Sequence, residues 1–270
     1  MAISTIVLLG AIAGFTIFFG LPLARVKTLS TSLKGFLAML AAGILLYLLV
    51  DVTAKMLEPI GESFTSVSKK PGALETGLLQ SGLLVLGVAV GLVGIVYLTR
   101  SLRKKGPDKG SKTGPQVAVY ELDPKALSLI IATGIGAHNL SEGLAIGQSA
   151  ASGALQLALI LIIGFGLHNM TEGFGIAGPI TGKSVSWKFI GLLGLVGGGP
   201  TFLGTILGIS FHSTELFIFC LAFAAGAIVN VVMELLSSTR RYSRETVVWG
   251  LFVGFLLGLG TDLILTVAGT

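Results

Sequence analysis

The sequence predicts an all-α polytopic membrane protein: eight transmembrane helices in a 3+2+3 arrangement with inverted repeats, both termini outside. Three observations carry this prediction: an apolar composition, apolar runs of bilayer length, and basic residues confined to alternate loops. The chain has 270 residues, of which 53% are hydrophobic and 11% charged, and its mean hydropathy is +0.91. A water-soluble domain needs a more charged surface than this. The 39 glycines suit helices packed closely within a bilayer. A single transmembrane domain is therefore expected over residues 1–270. The lone cysteine, Cys220, excludes an intramolecular disulfide and a thiolate metal cluster, and reads as apolar filler. The net charge of +5 does not point to nucleic acid, because the basic residues sit between apolar runs and form no soluble face.

About 20 apolar residues cross a bilayer as a helix. By that ruler the spans run Ile3–Leu23, Leu33–Leu57, Glu75–Leu98, Ala126–Ala150, Gly153–Ile180, Trp187–Ser210, Glu215–Ser237 and Thr246–Ala268. No basic residue precedes the first run, so it reads as a retained span and not a cleaved signal. Arg25, Lys27 and Lys34 follow the first span. The third is followed by a polar stretch, residues 100–124, rich in Lys, Gly, Ser and Pro, which reads as a flexible cytoplasmic loop. Lys183 and Lys188 follow the fifth span, and Arg240, Arg241 and Arg244 the seventh. These loops share one side and hold all of the 18 basic residues except Lys55, Lys69 and Lys70. The positive-inside rule makes that side cytoplasmic and puts both termini outside. Trp187 and Trp249, near span starts, read as interface anchors.

The outer spans repeat. Ala41-Ala42-Gly43 is followed by Asp51 as Ala224-Ala225-Gly226 is by Glu234, at the same spacing. Phe18-Phe19-Gly20 in the first span matches Phe202-Leu203-Gly204 in the sixth. Gly87 and Gly91 in the third match Gly250, Gly254 and Gly258 in the eighth. Spans one to three thus correspond to spans six to eight, and an odd shift in span number inverts one copy against the membrane. Inverted repeats of this kind put a transporter's substrate site near the bilayer midplane, at the repeat interface.

The firmest repeat lies in the central pair. His138-Asn139-Leu140-Ser141-Glu142-Gly143 recurs as His168-Asn169-Met170-Thr171-Glu172-Gly173, each near the middle of its span. Ionisable residues at that depth are costly unless they face a polar cavity, pair, or hold an ion. His138 and Glu142 share a helix face, as do His168 and Glu172, with Asn139 and Asn169 just beside them. Together the two faces offer two imidazoles, two carboxylates and two amide oxygens at one depth. Such a set suits zinc and other first-row divalent ions, and the absence of thiolate argues against monovalent copper. Two carboxylates also offset a +2 charge where uncompensated charge is expensive. Gly143 and Gly173 read as packing residues.

With these motifs, the eight spans, the outside termini and the long loop after span three, the chain resembles the ZIP (Zrt/Irt-like protein) family of divalent metal transporters. That resemblance implies a metal site, often binuclear, in the transport path. One position would use His138, Glu142, His168 and Glu172; its neighbour would use Asn139 and Asn169 with the carboxylates shared. It also implies zinc, iron, manganese or cadmium as cargo, zinc first among them, with no resident cofactor. Family members often carry proline before the motif glutamate, where Ser141 and Thr171 stand in this chain. Many add a carboxylate beside a proline in the sixth span, a place taken by Gly199 before Pro200. The second metal position therefore lacks that carboxylate. The histidine-rich loop of many members is missing.

Asp51 and Asp262, toward the outer ends of their spans, are candidates to collect cations at an entrance. His212 and Glu215, in a short outer loop, are candidates to capture them, and Glu234, toward the inner end of span seven, to help release. Asn230 reads as packing glue. The expected function is divalent-metal uptake into the cytoplasm by alternating access, in an integral protein of the plasma (cytoplasmic) membrane. A metal channel or cation–proton exchanger is the alternative. An intramembrane zinc hydrolase is disfavoured because the motif is H-N-x-x-E, and an amide cannot serve as general base. The expected partners are divalent ions and lipid. The glycine faces of spans three and eight would suit a homodimer or internal packing equally well.

Overall fold

The computed structural model describes all residues except 1, 28, 101–102, 106–119, 152, 154, 211–212, 238–241 and 270. Its helices include eight that are long and apolar enough to cross a membrane: Ile3–Arg25, Thr31–Thr65, Ala73–Tyr97, Pro124–Ala151, Ala158–Ile180, Trp187–Ser210, Thr214–Ser237 and Arg244–Ile264. These are the eight runs expected from the sequence. At the neck of the polar segment, Arg103–Lys105 pairs antiparallel with Tyr120–Leu122. Much of the remainder of that expected loop lies outside the described residues.

Local chemistry sets where the spans begin. Ser30, Ser186, Ser213 and Ser243 each accept a hydrogen bond from a backbone N–H in the first turn of the helix that follows. The third span instead follows Gly72, whose φ of 80° is left-handed and favours glycine. Several spans depart from a plain helix of bilayer length. The first breaks at Thr16, between helices Ile3–Phe15 and Ile17–Gly20, and closes with a 3-10 turn, Leu21–Arg25. The third carries a π-helical turn, Val90–Gly94. The second is one helix of 35 residues, about 52 Å at 1.5 Å per residue, far longer than a hydrocarbon core of about 30 Å. Its last turns, past Pro59, run on beyond the length needed to cross.

The repeat read from the sequence is present in the packing. Span two packs on span eight as span seven packs on span three; span four packs on span six as span five packs on span one. The glycine contacts match residue by residue. A Cβ on Gly43 would strike the backbone of Leu251, Gly254 and Phe255, and one on Gly226 would strike Val88, Gly91 and Leu92. Gly204 abuts Leu140 and Gly143, while Gly20 abuts Met170 and Gly173. Gly14 and Gly198 abut each other, as residues on a pseudo-two-fold axis must. Gly87, Gly91, Gly250, Gly254 and Gly258 all face span two or span seven. The glycine faces of spans three and eight therefore serve internal packing.

The main apolar core joins spans one, two, four, five, six and seven through residues such as Ile17, Met39, Leu45, Ile131, Ile176, Leu193 and Ile228. Spans three and eight are the least enclosed, and their exposed Leu79, Val85, Phe252 and Ile264 present an apolar outer surface that suits lipid. Trp187 is exposed with the Arg25 guanidinium 5.1 Å over its ring, an amphipathic pairing that fits the bilayer boundary.

Candidate metal centre

Spans four and five bring the two motifs together. His138, Asn139 and Glu142 are buried on one side of the centre, His168, Asn169 and Glu172 on the other. The two imidazole rings stand 6.2 Å apart, centroid to centroid. Nε2 of His138 lies 3.2 Å from Oε1 of Glu142, and Nε2 of His168 lies 3.5 Å from Oε1 of Glu172. His138, Glu142 and His168 each offer a donor atom within 4.8 Å of the other two. Ligands of a tetrahedral zinc ion stand about 3.4 Å apart, so these three donors need only a small contraction to share an ion.

The asparagines are fixed by backbone. Asn139 Nδ2 donates to the Gly197 carbonyl at 2.9 Å and to Glu172 Oε2 at 3.2 Å. Asn169 Nδ2 donates to the Ala13 carbonyl at 3.1 Å. Gly197 and Ala13 occupy corresponding places in the sixth and first spans, so the two tethers are one bond made twice. A carbonyl only accepts, so each amide must turn its NH₂ toward the neighbouring span and its oxygen the other way. Both Oδ1 atoms are buried without a hydrogen-bond partner, as are Glu142 Oε2, Glu172 Oε1 and Nε2 of both histidines. Unpaired buried acceptors are expensive. Their convergence at one depth on a donor set of nitrogen and oxygen fits a divalent ion as the missing partner.

Where proline is common, Ser141 and Thr171 turn their hydroxyls back onto the His138 and His168 carbonyls, at 2.6 and 2.7 Å. Each helix thus stays continuous through its motif, and the carbonyl beside each imidazole is engaged. Gly199 shares a face with Leu195 and Leu203, both largely exposed, and a Cβ there would meet nothing within 4 Å. A side chain at 199 would point outward; the sixth span reaches the centre through the Gly197 carbonyl.

The other candidates lie elsewhere. Asp51 is paired with Lys55 at 2.6 Å. Asp262 accepts from the Tyr47 hydroxyl at 2.6 Å, joining spans eight and two. Glu215 accepts from Ser213, the residue that caps span seven. Glu234 is partly exposed, and His212 is outside the described residues. Asn230 donates to the Leu92 carbonyl inside the π-helical turn, at 3.4 Å, the packing role expected of it. Sequence reasoning missed the backbone partners of the asparagines, because a carbonyl has no residue signature. It also missed Glu58 and Glu62, which line a cavity beside Lys55; their i, i+4, i+7, i+11 spacing from Asp51 was the available signal.

Residues 100–264, more than half the chain, match a family model described as ZIP Zinc transporter. The chain belongs to the ZIP family. No curated protein matches it. ZIP membership makes it a divalent metal transporter in a membrane. The match begins after span three; the contacts of spans one to three duplicate those of spans six to eight, which lie within it.

Proposed function

We propose that the chain carries zinc, or a divalent ion of similar chemistry, into the cytoplasm by alternating access, through the centre formed by His138, Asn139, Glu142, His168, Asn169 and Glu172. The observation that carries this reading is the buried, incompletely hydrogen-bonded set of nitrogen and oxygen donors from two inverted spans. Imidazole and carboxylate together favour zinc over magnesium or calcium.

The packing supports a moving unit. Glycine-to-backbone contacts lock spans one, four, five and six into one block, and separately lock span two to eight and span seven to three. Between the block and these pairs the glycine contacts are softer: Gly134 meets the Val231 side chain, and Gly175 meets Ala41. Across this boundary the spans meet through side chains, Met39 and Ile228 among them, rather than through backbone held against backbone, which leaves the block freer to shift. Asp51 stands toward the entrance in this reading, and Glu234 toward the exit.

The test is zinc uptake by proteoliposomes. His138→Ala and Glu142→Ala should each abolish saturable uptake while the purified protein keeps its size-exclusion profile. Wild-type flux through either variant sinks the assignment.

A further inference from the structure

Asp51, Lys55, Glu58 and Glu62 share one face of the second span, at i, i+4, i+7 and i+11. Lys55, Glu58 and Glu62 line a cavity of about 500 Å³, together with Gln148 and Ser149 of span four and Ser213 at the start of span seven. Gln148 lies six residues past Glu142, about 9 Å along the helix, so the cavity opens one to two turns from the metal centre. The charged face thus runs along the second span from the carboxylates that line the cavity, through Lys55, to Asp51. Among its carboxylates sits one cation, Lys55, with Nζ 2.6 Å from Asp51 Oδ2.

A cation in a cation's path needs a physical reason. Free carboxylates at an entrance attract any cation, and monovalent ions outnumber transition metals in every biological fluid. An ammonium tethered to the same helix is present at a high effective concentration. A free sodium or potassium ion carries no more charge and so gains no Coulomb advantage over the tethered ammonium. A divalent ion doubles the Coulomb attraction to the same carboxylate and adds coordinate bonds. The pair is also easily parted, since Lys55 is 44% and Asp51 17% exposed, and exposed pairs are weak.

We infer that Lys55 is a specificity-determining residue of the transport path: its ammonium occupies Asp51 as a tethered monovalent cation that only a divalent ion displaces. This rests on the transport reading of the His/Glu/Asn centre. Removing the ammonium frees Asp51 for every cation.

Proteoliposomes give the test, with zinc uptake measured at fixed ionic strength and either sodium or the bulky N-methylglucamine cation as the main monovalent ion. The wild-type KM should be the same in both. In Lys55→Met and Lys55→Gln the KM in N-methylglucamine should fall about two- to threefold, the size expected for losing an exposed i,i+4 ion pair, and should rise again when sodium is substituted. Lys55→Arg should behave as wild type. Asp51→Asn combined with Lys55→Met should lose the sodium sensitivity. The inference is overturned if Lys55→Met and Lys55→Gln keep the wild-type KM in both media, or if Lys55→Arg matches them. Failure of the transport reading looks different: no saturable uptake by wild type, or unchanged uptake by His138→Ala.

Discussion

At the residue scale, the asparagines decide how the centre is held. Each amide donates its NH₂ to a backbone carbonyl of a neighbouring span, which both fixes its rotamer and leaves its oxygen without a hydrogen-bond partner. Asn139→Leu should therefore do two things. It strands the Gly197 carbonyl and removes a bond to Glu172, at a cost of about 1–3 kcal/mol, visible as a lowered Tm in detergent. It also deletes a donor, visible as weaker zinc binding in equilibrium dialysis. A variant that loses Tm but binds zinc normally would show Asn139 to be structural alone. Protons compete with metal for imidazole and carboxylate, so the KM for zinc should rise as the pH falls. A KM that stays flat down to the pH at which the protein unfolds would contradict a histidine-ligated cargo. The two histidines, two asparagines and two glutamates were legible in the sequence because their side-chain types and spacing repeat. Their partners Gly197 and Ala13 were not, because any residue supplies a carbonyl. Asp262 was legible as a polar residue in a span, but only its bond to Tyr47 separates a helix tie from an open carboxylate.

At the element scale, the eight spans were readable from length and hydropathy, since a bilayer leaves few alternatives to a helix of about 20 apolar residues. The irregularities were not. Nothing local marks the π-helical turn at Val90–Gly94, and the second helix continues past Pro59 where sequence rules would expect it to weaken. The glycine spacing of spans three and eight was visible, but not which side of the helix had a neighbour. That question now has a direct test. Gly254→Ala puts a methyl group against the Leu40 backbone, and should destabilise by about 1–3 kcal/mol, the usual cost of overpacking. Gly260→Ala, where a Cβ meets nothing within 4 Å, should leave Tm unchanged or raise it slightly. Equal effects at the two sites would mean that the face of span eight is not discriminated by contact with span two.

At the scale of the whole molecule, the close backbone-to-backbone glycine contacts fall within three groups of spans: one, four, five and six; two and eight; three and seven. If the block of spans one, four, five and six moves against the two outer pairs, a covalent bridge across a seam must stop transport. Ala41→Cys with Gly175→Cys, in a Cys220→Ala background, spans one such seam. Oxidation should block zinc uptake and dithiothreitol should restore it. Full uptake by the cross-linked protein would rule out motion at that boundary. Which glycines meet backbone and which meet side chains was hidden from the sequence, because a glycine looks the same in either role.

The two motif copies are not in the same condition. Glu172 takes a hydrogen bond from Asn139 across the centre, whereas Oε2 of Glu142 has no partner. If the halves trade shapes, Asn169 reaches for Glu142 and Glu172 is let go. An ion held between the copies would therefore meet one carboxylate already engaged by an amide and one still open, so the two sides of the centre would not grip it equally.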